Sequence, residues 1–268
     1  MTVYLGRLGR MIELWSTPSS QVEAEDPYSF QVTVEGNRRA QRKATGRRTW
    51  SVSAEYSTPA DVGVLSDFAT GAWGPGPWVF IPADAPNANL LTPQAASCDP
   101  SAGWRVSNSA GGPLLTPDGW APRSVQNNDI TEVLWFGDEY VPVLPGRPVT
   151  VSAYVRGAGA AVRIYWYDEA GANVTSSTST VTATAGSVVR SWVTATPPAG
   201  AVSLRVRAVN AAVGTRPSVT WGDVLHPWAD GRGCLKAVVH AASSDSFLAG
   251  EGAGRQFSSL SYTVTEVG

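Results

Sequence analysis

Apolar and polar positions alternate through four stretches between Leu144 and Val209, each closed by turn residues: LPGRPVTVSAYVRG, AVRIYWYDEAG, RSWVTATPPAG and AVSLRVRAV. In the first, Val149, Val151, Ala153 and Val155 alternate with Thr150, Ser152, Tyr154 and Arg156. That two-residue period predicts a strand with one buried face. The design repeats: Val162, Ile164 and Trp166 oppose Arg163, Tyr165 and Tyr167, while Leu204, Val206 and Ala208 oppose Ser203, Arg205 and Arg207. The apolar sets can share one core between two sheets, a β-sandwich, and the opposite sets carry aromatics and arginines.

Upstream, YSFQVTVEG and RTWSVSAEY alternate through Phe30, Val32 and Val34 and through Trp50, Val52, Ala54 and Tyr56, and they read as paired strands. Between them GNRRAQRKATGRR carries Arg38, Arg39, Arg42, Lys43, Arg47 and Arg48. With no aromatic for base stacking, this stretch reads as a solvated hairpin or a subunit contact in preference to a nucleic-acid site. One short helix is predicted next, with Thr58 as N-cap, Pro59 at its first position, Asp61 closing a capping box, Val62, Leu65 and Phe68 on one face, and Gly71 as its stop. Trp73 and Trp78 in WGPGPWVFIPADAP read as core plugs or as a partner-binding patch.

The final stretch ends in an alternating strand, Tyr262, Val264 and Glu266 against Thr263, Thr265 and Val267. About forty residues seldom fold alone, so the tail is expected to complete the N-terminal sheet. This predicts a discontinuous β domain over residues 1–92 and 229–268, with the sandwich inserted as residues 93–228.

Composition refines the class without changing it. Gly 27, Pro 19 and 16% charged residues in 268 residues point to strands and turns. The formal net charge of −2 gives no global attraction for nucleic acid or an anionic membrane. MTVYLGRLGRMIELW lacks the apolar core of a signal peptide, and no apolar run approaches the roughly 18 residues of a membrane span, so a soluble protein is expected. Cys98 and Cys234 flank the sandwich and read either as a disulfide across its neck or as two buried thiols. With His226 and His240 they lack metal-ligand spacing.

Catalytic signatures are scarce. The chain has no GxSxG, GxxxxGK[ST], HExxH or CxxC motif, and no cofactor is expected. Gly250, Gly252 and Gly254 read as a flexible loop, not a nucleotide cradle. Asp138 with Glu139, and Asp168 with Glu169, are adjacent in sequence and lack the facing geometry of a glycosidase; Asp168–Gly171 reads as a turn. A non-enzyme is expected. The outward set Tyr154, Arg156, Tyr165, Tyr167, Arg205 and Arg207 combines flat rings with guanidinium donors, a mixture suited to stacking on sugar faces and holding hydroxyls, and also found on ordinary exposed sheet faces. Trp192 and Trp221 read as core or edge tryptophans.

PGRPVTVSAYVRG, YWYDEAG, WVTATPPAG, LRVRA and VTWGDV resemble the jelly-roll carbohydrate-binding modules found beside glycosidases and in phage tail proteins. The resemblance covers roughly half the chain and implies ligand binding on a concave sheet, here at the six outward residues. It departs from the family where Gly222, Asp223, Val224 and Leu225 follow Trp221. The flanks YSFQVTVEGNRRAQRKATGRRTW, FATGAWGPGPWVFIPADAPNANLLTP and SYTVTEVG resemble minor tail proteins of actinobacterial siphophages, whose N-terminal portion is similar to the distal tail protein joining tube to tip. This implies a mainly β, distal-tail-like sandwich, a homo-oligomeric ring, commonly a hexamer, contacts with tail tube and tail tip proteins, and residence in a virion tail assembled in the host cytoplasm. That compartment favours reduced thiols. The expected role is structural, with an insert that grips host glycan; a purely structural or protein-binding insert and a glycan depolymerase are the alternatives.

Overall fold

The computed structural model describes residues 1–16, 21–24, 28–42, 47–103, 108–129, 133–249 and 255–267. The chain is mainly β and divides into two compact units, one of Met1–Val3, Glu13–Phe80 and Lys236–Gly268, the other of Tyr4–Ile12 and Ile81–Leu235. The insert boundaries expected near 93 and 228 therefore compare with a division at 81 and 235, and the short Tyr4–Ile12 stretch groups with the second unit.

In the first unit, strands Trp78–Ile81, Cys234–Ala249, Arg255–Glu266, Arg48–Ser57 and Gln21–Ala24 lie side by side in that order. Arg255–Glu266 pairs antiparallel with both Cys234–Ala249 and Arg48–Ser57, so the C-terminal strand sits inside the sheet. Its alternation has the expected sense, with Tyr262 and Val264 buried as are Trp50, Val52 and Ala54 on the neighbouring strand. Trp50 meets Phe80 edge-on at 5.2 Å, and Arg48 lies 4.9 Å over Trp50 while donating to both Glu266 carboxylate oxygens at 3.0 Å.

The helix spans Pro59–Thr70 and carries its sequence signals as read. Asp61 N–H donates to Thr58 Oγ1 at 3.3 Å, Thr58 N–H donates to the Asp61 carboxylate at 3.0 Å, and Gly71 adopts φ 79°, where a Cβ would be strained. Leu65 and Phe68 are buried. Phe68 stacks on Trp73 and meets Trp78 edge-on, both at 5.0 Å; Trp78 is core and Trp73 remains 38% exposed.

One pairing differs from expectation. Tyr28–Val32 pairs with Arg38–Arg42, not with Arg48–Ser57, so part of the basic stretch is itself a strand. The cause is a local turn: Gly36 at φ 81° lets its N–H reach Thr33 O, and Thr33 N–H reaches Asn37 O, each at 2.9 Å. Lys43 and the glycines 250, 252 and 254 lie outside the described residues.

The second unit is a two-sheet antiparallel sandwich of jelly-roll type. One sheet, the Tyr154 sheet, orders Val188–Ala195, Val149–Arg156, Val213–Trp221, Ser124–Asn127 and Asn108–Gly111. The other, the Arg205 sheet, orders Leu134–Trp135, Ser203–Val209, Ala161–Tyr167 and Asn173–Thr178, with Val141–Pro142 also on Ser203–Val209. Their inner faces meet through Val149, Val151, Ala153 and Val155 on one side and Val162, Ile164, Trp166, Leu204, Val206 and Ala208 on the other, all buried. The Trp166 indole N–H is satisfied by Ser177 Oγ at 3.0 Å, which lets the largest core side chain stay dry. Gly214 has no side chain because the Phe136 ring occupies that space, 2.7 Å from where a Cβ would stand.

Asn89, fully buried, ties the entrance of this unit to its exit. Its amide donates to Pro217 O at 3.1 Å and Ala229 O at 3.0 Å and accepts from Leu91 and Val219 N–H at 3.2 and 3.1 Å. Gly231 and Gly233 allow the outgoing chain to run against Leu90–Thr92, since a Cβ would lie 2.3 Å from Thr92 O at the first and 1.9 Å from Leu90 O at the second. Cys98 and Cys234 are both buried and are not joined in a disulfide, which resolves the pair in favour of two thiols. Burial pushes the Cys98 thiol up to about 12. The Asp168–Gly171 turn forms as read, closed by Gly171 N–H to Asp168 O at 3.0 Å.

Candidate functional site

The six outward residues do not form one face. Tyr154 and Arg156 lie on one sheet; Tyr165, Tyr167, Arg205 and Arg207 lie on the other. Alternation gave each side chain the expected outward direction, but the strands carrying them belong to opposite layers, so the single face read from three strands is corrected to two.

On the Arg205 sheet, cross-strand register places Tyr165 opposite Arg205, and Arg207 between Trp135 and Arg163. The Arg207 guanidinium lies 3.3 Å from the Trp135 ring centroid and 4.4 Å from that of Tyr165, and it donates to Tyr167 Oη at 2.7 Å. Arg205 lies 4.1 Å over Tyr140, 4.9 Å from Trp135 and 5.7 Å from Tyr167, and it donates to Asp138 O at 2.6 Å and to the Asp138 carboxylate. Tyr140 in turn meets Tyr167 edge-on at 5.1 Å. Both arginines are only 8% exposed, and Arg205 Nε is buried without a hydrogen-bond partner. Ring faces therefore take the place of water around these cations. One terminal nitrogen of each guanidinium donates within the protein and both cations are buried, leaving half-buried Tyr165 and Tyr140 as the accessible rings.

The covering residues Trp135, Asp138 and Tyr140 come from LWFGDEY, whose acidic pair lacks the facing geometry of a glycosidase by its adjacency in sequence. Asp138, itself exposed, anchors Arg205, and the Glu139 carboxylate accepts from Thr92 N–H at 3.3 Å and from the Thr92 hydroxyl.

The Tyr154 sheet is different. Register places Arg190 opposite Tyr154 and Trp192 opposite Ser152 on the edge strand Val188–Ala195. The Tyr154 hydroxyl donates to the Asp118 carboxylate, which a hairpin of Leu114–Thr116 and Gly119–Ala121 carries across this face. Arg190 sits 5.8 Å from the Tyr154 ring, donates to Ser152 Oγ at 3.2 Å and also donates to His226 O. Burial raises the Tyr154 phenol to about 12; the bond to Asp118 adds to the rise, and the Arg190 and Arg216 charges oppose it.

Arg216 reaches this group through a β-bulge. Arg216 and Pro217 together stand opposite Ala153, and Arg216 adopts φ 49°, a sparsely populated conformation for a side-chain-bearing residue. Its guanidinium donates to Trp120 O at 2.8 Å and lies 5.1 Å over Trp228. Around this framework several groups stay open: Trp192 is 39% exposed and Trp120 64%, Leu115 is exposed, and the Arg156 side chain is exposed with no hydrogen-bond or ion-pair partner among the described residues. Trp192, read as a core or edge tryptophan, lies on the edge strand, and the sequence contains signals for its neighbours. RSWVTA places Arg190 and Trp192 on one face by period, and the Pro117-Asp118-Gly119 turn between apolar residues is a hairpin signature.

Trp221 is core, its indole N–H donating to Pro142 O at 3.2 Å, with Tyr4 edge-on at 4.9 Å. Among the described residues no group of three His, Cys, Asp or Glu side chains could hold a metal ion, and no helix is long and apolar enough to cross a membrane.

No protein-family model and no curated protein matches the chain. Among solved structures it is similar to the enzymatically active domain of tailspike protein 4 of bacteriophage CBA120, at 12% identity and TM-score 0.33 over 51% of this chain and 22% of that one. It is also similar to the CBM22-1 xylan-binding domain of Paenibacillus barcinonensis Xyn10C, at 16% identity and TM-score 0.33 over 46% of this chain and 88% of that one. A third is the CBM22-1 and GH10 portion of Clostridium thermocellum xylanase 10B complexed with xylohexaose, at 13% identity and TM-score 0.33 over 50% of this chain and 27% of that one. The chain thus spans less than a third of the tailspike and xylanase chains. At these TM-scores the reading of the site rests on its own geometry.

Proposed function

We propose that this chain is a non-catalytic virion tail component whose sandwich holds host-surface glycan on the outer face of the Tyr154 sheet. The observation that supports this reading is the open indole of Trp192 on the same sheet face as half-buried Arg190 and exposed Arg156, beside the buried Tyr154–Asp118 pair. Flat apolar rings stack on sugar C–H faces, and pre-positioned polar groups select hydroxyl orientation. The Arg205 sheet is unsuited to the task, because its two guanidiniums are buried against Trp135, Tyr140 and Tyr165. Retention of the full-length protein on host cell-wall glycan, compared with Trp192→Ala, tests the reading; equal retention of both proteins removes it.

The first unit is proposed to supply assembly: a distal-tail-like scaffold joining tail tube to tip as a homo-oligomeric ring, with six copies expected. Its Tyr28–Val32 and Arg38–Arg42 hairpin leaves Phe30, Val32 and Val34 exposed, an apolar surface of the kind that neighbouring subunits cover. Repetition around a ring would raise avidity for weak sugar sites without new contacts. Mass photometry of the purified chain and electron microscopy of tails test this, and a three-fold position would overturn the six-copy reading.

A further inference from the structure

The outer face of the Tyr154 sheet has an imbalance of charge. Three arginines lie on it: Arg190 directly opposite Tyr154, Arg156 two positions further along the same strand face, and Arg216 at the bulge. The charges of Arg190 and Arg216 both act on the Tyr154 phenol, which places them in one electrostatic neighbourhood. Against them stands the Asp118 carboxylate, already accepting from Tyr154. Asp223 follows Gly222, whose carbonyl accepts from Thr150, and so belongs to the opposite end of the strand from Arg156.

The three cations have different freedom. Arg190 is held by Ser152 and His226, and Arg216 by Trp120 O, so both act as fixed positive charges. Arg156 is exposed and uncommitted among the described residues. A guanidinium binds planar or tetrahedral oxyanions through paired N–H donors, and a partly desolvated surface strengthens the attraction. A wholly neutral sugar would leave this positive field unanswered.

We infer that the saccharide taken by this face carries an anionic group, a carboxylate or a phosphate, that pairs with Arg156 while the rings hold the sugar. The inference rests on the glycan reading above and adds the class of sugar to it. The Arg205 sheet makes no equivalent offer, since its cations are enclosed by rings.

The test is calorimetric titration of the full-length protein with four probes: a galacturonate oligomer, a phosphorylated mannose oligomer, neutral xylohexaose and a single-stranded thymidine oligomer. At low salt the better anionic saccharide is expected to bind at least about tenfold more tightly than xylohexaose, with the preference shrinking as salt rises. Which of the two anionic probes binds more tightly identifies carboxylate or phosphate. Arg156→Gln is expected to cut the preference at least about fivefold with an unchanged melting curve. Equal binding of neutral and anionic sugars, or an unchanged preference in Arg156→Gln, overturns the inference while leaving the glycan reading intact. Binding of no saccharide overturns both, and tighter binding of the thymidine oligomer than of either anionic sugar overturns the choice of a saccharide.

Discussion

The two outer faces of the sandwich use the same residue types for opposite ends. On the Arg205 sheet, Arg207 is sandwiched between Trp135 and Tyr165, and Arg205 is capped by Tyr140 and Asp138. On the Tyr154 sheet the hairpin carrying Asp118 covers Tyr154 but leaves Trp192 and Arg156 open. Arginine beside tyrosine therefore does not define a ligand surface. What matters is whether another segment of the chain has already supplied the rings and acceptors that a ligand would supply.

The largest expected effect falls on the closed face. Arg207→Ala removes a buried cation from between two rings and breaks its bond to Tyr167, and it is expected to cost about 2–4 kcal/mol in urea unfolding. Loss of glycan binding in this variant without loss of stability would invert the comparison. On the open face Trp192→Ala is expected to weaken glycan binding about tenfold, ~1.4 kcal/mol, with a melting temperature close to that of the parent. A large drop in melting temperature would instead make Trp192 a packing residue.

Tyr154→Phe is expected to cost about 1 kcal/mol, since it deletes the bond to Asp118 while keeping the ring. The same residue contributes to alkaline sensitivity. Because the folded pKa of Tyr154 is raised from 10.0 to about 12, its contribution is complete below about pH 10 and is lost as pH rises toward 12. Cys98, raised from 9.0 to about 12, acts in the same direction from about pH 9. Unfolding measured from about pH 8 to 12 should show stability falling throughout the upper part of this range, and Tyr154→Phe should flatten the fall above about pH 10. A fall of unchanged steepness would show that Tyr154 does not contribute.

Much of the framework was legible. Val149 to Val155, Val162 to Trp166 and Leu204 to Ala208 turn their alternate residues inward as their period requires, and Thr58, Asp61 and Gly71 mark the helix ends at single-residue precision. The candidate site was less so. Tyr154 and Arg156 were grouped with four residues of the opposite sheet, and Arg205 and Arg207 were read as open when they are enclosed. The hairpin partner of Tyr28–Val32 was also misread, because two alternating strands advertise their faces without advertising their pairing.

The sequence by itself determined direction: which side chains of each strand face a core, where the helix begins and ends, and where turns can form. These follow from local backbone geometry, which acts over a few residues. Only the tertiary structure decided which strands share a layer and which outward faces another segment covers. Backbone hydrogen bonds between strands carry little residue identity, and the covering groups Trp135, Tyr140 and Asp118 arrive from positions distant along the chain. Closing one arginine-rich face and leaving the other open is a result of that long-range packing.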